Sequence, residues 1–98
     1  MANVILHCYY TGEEAAVRGF VEEMISSGLR REVLEEDGCV QYDYFFPALP
    51  QPCVLLMERW RDEQALAQHM NGAVMVKIRA VKAKYGIDTR LERCMPKD

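Results

Sequence analysis

Hydrophobic and polar residues alternate with two different periods along the chain, and the changes of period mark its elements. Asn3 to Tyr10 is rich in β-branched and aromatic residues and has an apolar and a more polar side, which predicts a strand. Cys39 to Phe46 and Cys53 to Trp60 are two further predicted strands. The proline-rich segment between them must be a turn, because proline cannot lie in a central ladder. Ile87 to Cys94 alternates as the last strand.

The first predicted helix follows Thr11, whose spacing to Glu14 fits a capping box. Its apolar residues recur every three or four positions, and Ser26-Ser27-Gly28 then weakens the pattern. We predict that the helix continues after a kink as far as Asp37-Gly38, where glycine suits a C-terminal turn. The residues on its predicted apolar side are Val17, Phe20, Val21, Met24 and Ile25.

Two more helices are predicted between the third and fourth strands. Asp62 can cap a short helix that ends at Met70. Asn71-Gly72 breaks that helix, and the next one begins near Ala73 and stops at Gly86. Met95 to Asp98 is a predicted tail.

The resulting order, β-α-β-β-α-α-β, is typical of the ferredoxin-like split βαβ arrangement, an α+β fold with an antiparallel sheet. A chain of 98 residues favours one domain over residues 1–98. The start of the third strand, CVLLM, is apolar on both faces, which predicts a central position but does not fix the hairpin register. If helices cover one face of the sheet, a second copy placed against the other face would hide it, and a ligand pocket is expected between sheet and partner.

Composition excludes several classes of function. The net charge is −3 with no basic stripe, which argues against nucleic-acid binding. No apolar run approaches the roughly 20 residues of a membrane span, and the N-terminus lacks the zones of a signal peptide. The cysteines are scattered without a C-x-x-C pair, which argues against a metal site and favours reduced, mostly buried thiols in a cytoplasmic protein. They are Cys8, Cys39, Cys53 and Cys94.

His69 is the first candidate for a functional group. It shares one predicted helix face with Leu66 and Met70. A neutral imidazole can accept a substrate proton near neutral pH. The alternative is a histidine that packs beside Leu66 with one nitrogen hydrogen-bonded.

Other candidates lie on the strands. Glu58 stands in a nearly apolar strand, where it can be a base or, more commonly, form a salt bridge to a neighbour of Arg59 or to a partner chain. Tyr42, Tyr44 and Trp60 can line a flat aromatic pocket or pack in the core. His7 lies on the more polar side of the first strand, where it can orient or deprotonate a ligand or lie at a dimer seam.

Charged residues elsewhere are predicted to be solvated. Glu32, Glu35, Glu36 and Asp37 are assigned to an exposed helix end. The basic side of the last helix is assigned to solvent as well, with the alternative that its Arg79 holds an anionic substrate.

Three segments together resemble the antibiotic biosynthesis monooxygenase family. They are EDGCVQY at 36–42, ERWRDEQAL at 58–66 and QHM at 68–70. The family pattern is roughly E-x-G-C-x-x-Y followed by E-x-W-x-[DS]-x-x-A-L-x-x-H. The resemblance implies a dimeric α+β barrel in which each protomer's sheet helps to enclose a cavity.

The family includes small monooxygenases that oxidise quinols or polycyclic aromatics with O₂ and without metal, flavin or haem, as well as isomerases and haem-degrading enzymes. In the haem-degrading branch a tryptophan replaces the equivalent of His69 and a ligating histidine follows ten residues later. This chain has Arg79 at that place and no later histidine, which disfavours haem binding. Quinol-oxidising members often carry a second histidine in a Ser/Thr-Pro-His stretch, which here is replaced by residues 71–74, NGAV.

The leading hypothesis is a cytoplasmic homodimer that oxidises a quinol-like or other electron-rich aromatic compound with O₂ and no cofactor. His69 is the expected proton acceptor. The residues expected to bind the substrate are His7, Tyr42, Tyr44, Glu58 and Trp60. Two alternatives remain, an isomerase or lyase that uses the same histidine on a small metabolite, and a ligand-binding protein without turnover.

Overall fold

The computed structural model describes residues 3–95 and confirms the predicted order of elements, except that two helices take the place of the first predicted helix. The predicted tail, apart from Met95, lies outside the described residues. In chain order the elements are β1 (Val4–Thr11), α1 (Glu14–Ser26), α2 (Leu29–Leu34), β2 (Cys39–Phe45), β3 (Cys53–Trp60), α3 (Glu63–Met70), α4 (Ala73–Tyr85) and β4 (Asp88–Cys94).

The four strands form one antiparallel sheet in the order β2-β3-β1-β4, so β3 is central as predicted. The register pairs Glu58 of β3 with Tyr42 of β2 on one side and with Leu6 of β1 on the other. Because directly paired residues point to the same face of a sheet, these three side chains lie together.

One face of the sheet is covered by helices and the other is open, as the alternation predicted. Every second residue of β1 and β3 is buried, and the residues between them are partly exposed. β4 is an exception, since all its residues but Cys94 are exposed. The buried sheet residues of β1 and β3 are Val4, Leu6, Cys8, Tyr10, Val54, Leu56, Glu58 and Trp60.

The predicted capping box at the start of α1 is wrong. Thr11 is the last residue of β1, where it pairs with Cys53 and Asp88, so it is not available to cap a helix. The residue that precedes the helix is Glu13, whose side chain makes no capping hydrogen bond. The predicted cap of α3 is confirmed, because the Asp62 carboxylate accepts a hydrogen bond from a backbone N–H of the first turn over 2.9 Å.

The predicted kink is a full break between two helices. Gly28 has a φ of 86°, a left-handed conformation that favours glycine, and α2 begins directly after it. The prediction for Ile25 is wrong, since it is 58% exposed. At about 100° per residue, Ile25 lies about a quarter turn from the centre of the buried face of α1.

All four cysteines are free thiols, but only Cys8 is buried, so the prediction of mostly buried thiols is wrong for the other three. No helix in residues 3–95 combines the length and the apolarity needed to cross a membrane.

Candidate functional site

His69 lies on the buried side of α3. The imidazole stacks on the indole of Trp60, the last residue of β3, with 4.5 Å between ring centroids and 27° between ring planes. Its side chain has no exposed surface. Any exchange of protons between His69 and a ligand therefore passes through a neighbouring side chain.

Glu36 holds one nitrogen of this imidazole, with 2.5 Å between its Oε1 and Nδ1 of His69. An ionised carboxylate only accepts hydrogen bonds, so Nδ1 carries the proton. In the neutral ring the other nitrogen, Nε2, is then an acceptor. Nε2 is buried and has no hydrogen-bond partner within residues 3–95, which is uncommon for a buried polar atom.

A tight turn between α2 and β2 brings the carboxylate of Glu36 to this position. Gly38 in the turn has a φ of 85°, and a Cβ on it would lie 2.4 Å from the Cβ of Ala65 in α3. The turn can approach α3 this closely only because position 38 has no side chain. Arg61 closes the turn, since its backbone N–H donates to the Gly38 carbonyl over 2.8 Å.

Glu58 is a second carboxylate on the other side of the imidazole. The Cys8 thiol donates to its Oε2 over 3.1 Å, and the Trp60 indole N–H donates to its Oε1 over 3.0 Å. Oε1 also lies 3.9 Å from the unpartnered Nε2 of His69. No ion pair of Glu58 with a Lys or Arg is found within residues 3–95, and an ion pair with a partner chain stays a prediction. The two hydrogen bonds compensate the burial of Glu58.

Glu58 reaches the wall of a cleft between the sheet and α3 and α4, which we call the helix-side cleft. The cleft has a volume of about 120 Å³. Its wall is mostly apolar, with an acidic and a basic side chain among its few polar groups. The lining residues are Leu6, Cys8, Tyr10, Glu58, Met70, Met75, Lys82, Thr89 and Leu91.

Lys82 supplies the positive charge at the helix-side cleft. Its Nζ lies 4.5 Å from the ring centroid of Tyr10 and 3.2 Å from Oγ1 of Thr89. Burial lowers the pKa of Lys82, while the nearby Cys8 and Glu58 oppose that shift. A partly desolvated ammonium group attracts an anion more strongly than one in water.

Burial also keeps the neighbouring acids of the cleft protonated. It raises the pKa of the Cys8 thiol, and the charge of Glu58 raises it further, so the thiol remains a hydrogen-bond donor. The pKa of Tyr10 is raised mainly by burial as well. Glu58 and Lys82 are therefore the groups that bring charge to this cleft.

Tyr42, Tyr44 and Trp60 lie behind the cleft, not on its wall. Tyr42 is buried with its ring edge-on to those of Tyr44 and His69, at centroid distances of 5.9 and 6.3 Å. Burial raises the pKa of Tyr42 and of Tyr44. The aromatic residues expected to line a pocket thus form the packed support of His69.

His7 lies on the open face of the sheet, away from the other predicted site residues, and its Nδ1 is 3.4 Å from Sγ of Cys94. The structure therefore brings together His69, Glu58, Trp60 and Tyr42 but not His7. A second cleft of about 420 Å³ lies on this open face, where we expected a pocket against a partner. Its lining residues are Tyr9, Phe45, Phe46, Pro47, Gln51, Cys53, Leu55 and Arg90.

Glu36, Cys8 and Lys82 were not among the residues predicted from the sequence to form the site. Glu36 was assigned to a solvated helix end, although it begins the E-x-G-C segment whose glycine allows the turn. Cys8 and Lys82 carry no sequence signal of their own, because only the pairing of β1 with β3 and the docking of α4 place them at the cleft. Within residues 3–95, no group of three or more His, Cys, Asp and Glu residues is arranged to hold a metal ion.

Comparison with models of protein families identifies the family of this chain. The model of the antibiotic biosynthesis monooxygenase (ABM) family matches residues 4–81, which include Glu36, Glu58 and His69. The chain belongs to the ABM family. The resemblance noted in the sequence is confirmed, and no curated protein matches this ABM chain.

Solved structures share the ABM chain's fold at low sequence identity. A conserved protein of unknown function from Bacteroides thetaiotaomicron is 20% identical with a TM-score of 0.83, and the match covers 97% of this chain and 98% of that one. A conserved protein from Methanosarcina mazei is also 20% identical with a TM-score of 0.83, over 99% and 95%. SnoaB from Streptomyces nogalater, a cofactor-independent oxygenase, is 10% identical with a TM-score of 0.75, over 100% and 96%.

Proposed function

We propose that this ABM-family protein is a cofactor-independent monooxygenase that binds a single-ring quinol, or a similarly electron-rich phenol, in the helix-side cleft. The observation that supports this most is Glu58, a buried carboxylate on the wall of an apolar cleft with an unpartnered imidazole nitrogen 3.9 Å away. Such a carboxylate can remove a proton from a bound hydroxyl group. The resulting anion is electron-rich enough to react with O₂ itself.

In this proposal Glu58 accepts the substrate proton and His69 accepts it next. His69 is the proton acceptor expected from the sequence, but the imidazole is fully enclosed and Glu58 is the group at the cleft wall. The 3.9 Å between them is longer than a hydrogen bond. Catalytic hydrogen bonds are often long without ligand and shorten once the substrate is bound.

Lys82 stabilises the substrate anion. It lies on the wall of the same cleft, and its attraction to an anion is strengthened because its ammonium group is partly buried. Stabilisation of the anion favours the deprotonated quinol over the neutral one.

The reaction balances without an external reductant. The quinolate gives one electron to O₂, and the ring radical and superoxide combine to form a carbon–oxygen bond. The peroxide takes a proton back from Glu58. Loss of water then breaks the O–O bond and leaves a new carbonyl, so that quinol plus O₂ gives hydroxyquinone plus water. Four electrons leave the ring and reduce both oxygen atoms.

The size of the helix-side cleft selects a single ring. Its volume is about 120 Å³, close to the ~150 Å³ of an apolar cavity that holds benzene. A three-ring aromatic requires the cleft to widen. We therefore expect turnover to fall from one-ring to three-ring quinols of similar reduction potential.

Oxygen uptake by chelator-treated protein tests the proposal. A panel of one-, two- and three-ring quinols should show uptake above the spontaneous rate, with one O₂ consumed per quinol, no free peroxide, and one atom of ¹⁸O₂ in the product. His69→Ala should remove this uptake, because the proton on Glu58 then has no second acceptor. His7→Ala is the matched control on the opposite face and should retain it.

Other results would contradict the proposal. If no quinol is consumed above the spontaneous rate, the protein is not this oxygenase. Turnover of a substrate under argon would instead indicate an isomerase or lyase that uses the same acid–base pair. Saturable binding without turnover in either condition would indicate a ligand-binding protein.

We propose further that two copies pair through the open face of the sheet. This face carries partly exposed apolar side chains of the central strands, and Phe45 beside it is 47% exposed. A sheet face of this kind gains stability when it is covered. The four free thiols agree with a reducing compartment such as the cytoplasm.

Sedimentation velocity tests the pairing. The molecular mass derived from the sedimentation of the wild type should be twice the 11.3 kDa mass of the chain. Leu55→Glu places a charge in the middle of the open face and should give monomers. Val76→Glu on the outer side of α4, where the wild-type residue is 64% exposed, should remain dimeric. A wild type that is monomeric at micromolar concentration would contradict the pairing.

A further inference from the structure

We infer that Glu36 connects the helix-side cleft to solvent, so that Glu58, His69 and Glu36 form one path along which the substrate proton leaves and returns. The inference rests on the proposed function, because that function supplies the proton at Glu58. It assigns to Glu36 a role in proton transfer that goes beyond holding His69 in position.

The three groups stand in a row that starts at the cleft wall, passes through an enclosed imidazole and ends at a partly exposed carboxylate. Glu58 lies on the cleft wall with 6% of its side chain exposed to solvent, and His69 in the middle is fully enclosed. The side chain of Glu36 is 21% exposed at the far end. The two gaps are 3.9 Å from Oε1 of Glu58 to Nε2 of His69 and 2.5 Å from Nδ1 of His69 to Oε1 of Glu36. A bound ligand that fills the cleft closes the direct route from Glu58 to water and leaves this row as the exit.

The chemistry of the imidazole fits a transfer in both directions. When Glu58 releases the substrate proton, its O–H bond breaks and an N–H bond forms at Nε2 of His69. The imidazolium then gives its Nδ1 proton to Glu36, which exchanges it with water. When the peroxide later takes a proton from Glu58, each step reverses and the imidazole returns to its Nδ1–H form. No net proton is consumed, in agreement with the balance of the oxidation.

A purely structural role of His69 does not explain why its buried Nε2 has no hydrogen-bond partner within residues 3–95. A histidine that only ties α3 to the α2–β2 turn would be expected to use both nitrogens, since an unpartnered buried acceptor is destabilising. Here Nε2 faces the one carboxylate that reaches the cleft, and the stacked indole of Trp60 fixes the ring in that direction. The unpartnered nitrogen is thus positioned to receive the substrate proton from Glu58.

Two substitutions separate positioning from proton transfer. The amide oxygen of Glu36→Gln can still accept a hydrogen bond from Nδ1 but cannot take up its proton. Glu36→Ala removes both functions. Glu32→Gln is the control, because Glu32 lies on α2 nearby and forms only an exposed ion pair with Lys77 over 3.2 Å.

Dependence of the rate on buffer is the readout. Glu36→Gln should lower kcat by about tenfold or more, short of the ~10²–10⁴-fold that loss of an acid–base group itself costs, with little change in KM. Small buffers such as imidazole should restore the rate of Glu36→Gln in proportion to their concentration, and should not affect the wild type or Glu32→Gln. If Glu36→Gln turns over at the wild-type rate in dilute buffer, Glu36 only positions His69 and the inference is wrong.

Nitrogen NMR of histidine-labelled protein distinguishes failure of the inference from failure of the proposed function. Without any substrate, His69 at neutral pH should show a protonated Nδ1 and an unprotonated Nε2. Glu36→Gln should keep this tautomer and Glu36→Ala should lose it. A wild type with its proton on Nε2 would overturn the path even if quinols are oxidised. The expected tautomer without any oxygen uptake would overturn the proposed function instead.

Discussion

Replacing Glu58 with glutamine should lower the rate of substrate-dependent O₂ uptake by about 10²–10⁴-fold and leave the fold in place. The amide has the shape of the carboxylate, and its oxygen can still accept the hydrogen bond of the Trp60 indole. It cannot take the quinol proton. The expected result is a loss in kcat with a small change in KM, measured with an oxygen electrode, and a melting temperature near that of the wild type.

Glu23→Gln is a matched control for this substitution. The Glu23 carboxylate also accepts two side-chain hydrogen bonds, from Lys84 over 2.6 Å and from the Tyr85 hydroxyl over 2.9 Å, but it lies on α1 away from the cleft. Its replacement should not change oxygen uptake. Glu58→Ala is a poorer test, because it leaves two buried donors unpaired and unfolding would then compete with the loss of chemistry. Wild-type uptake by Glu58→Gln would exclude Glu58 as the proton acceptor.

Gly38→Ala is the substitution expected to cost the most stability, about 2–5 kcal/mol in the free energy of unfolding. Two terms contribute, about 1–2 kcal/mol for an L-residue in the left-handed conformation and about 1–3 kcal/mol for overpacking. The second arises because the new Cβ would lie 2.4 Å from the Cβ of Ala65, so the turn or α3 must move. Urea unfolding followed by circular dichroism measures the loss.

Gly28→Ala separates the two terms. Gly28 has a φ of 86°, almost that of Gly38, but a Cβ on it would meet no atom within 4 Å. It should therefore lose only the conformational term of about 1–2 kcal/mol. Adding Ala65→Gly to Gly38→Ala removes the Cβ that the new side chain meets, so the double variant should regain part of the stability lost to overpacking. The gain is reduced by about 1 kcal/mol, because a glycine inside a helix is itself destabilising. Equal losses for Gly28→Ala and Gly38→Ala would show that the close approach to α3 does not matter.

The elements of the fold could be predicted because their signals are local. The bounds of β3 were predicted correctly from the apolar run that follows the proline-rich turn, and the doubly apolar start of that strand predicted its central position. The cap at Asp62 is likewise a short-range pattern. The prediction of the capping box was wrong because Thr11 suits both the end of a strand and the cap of a helix. Its pairing with β3 and β4 makes it the end of the strand. A sequence window does not contain those partners.

The candidate site could be predicted only in part, because its contacts are long-range. The spacing on α3 pointed to His69, and the polar residue in an apolar strand pointed to Glu58. Their meeting with Glu36 depends on a turn 33 positions before His69 and on the absence of a side chain at Gly38. The side of the sheet that carries the site could not be predicted either, because alternation defines two faces without saying where a cleft will form.

The stacking of Trp60 on His69 has a consequence for how the site can be observed. Trp60 is the one tryptophan of the chain, so its fluorescence comes from a single place. Its indole touches the imidazole face and donates its N–H to Glu58. A protonated imidazole accepts an electron from an excited indole more readily than a neutral one, and so quenches its emission. The intensity of Trp60 fluorescence should therefore report whether the imidazole of His69 is protonated.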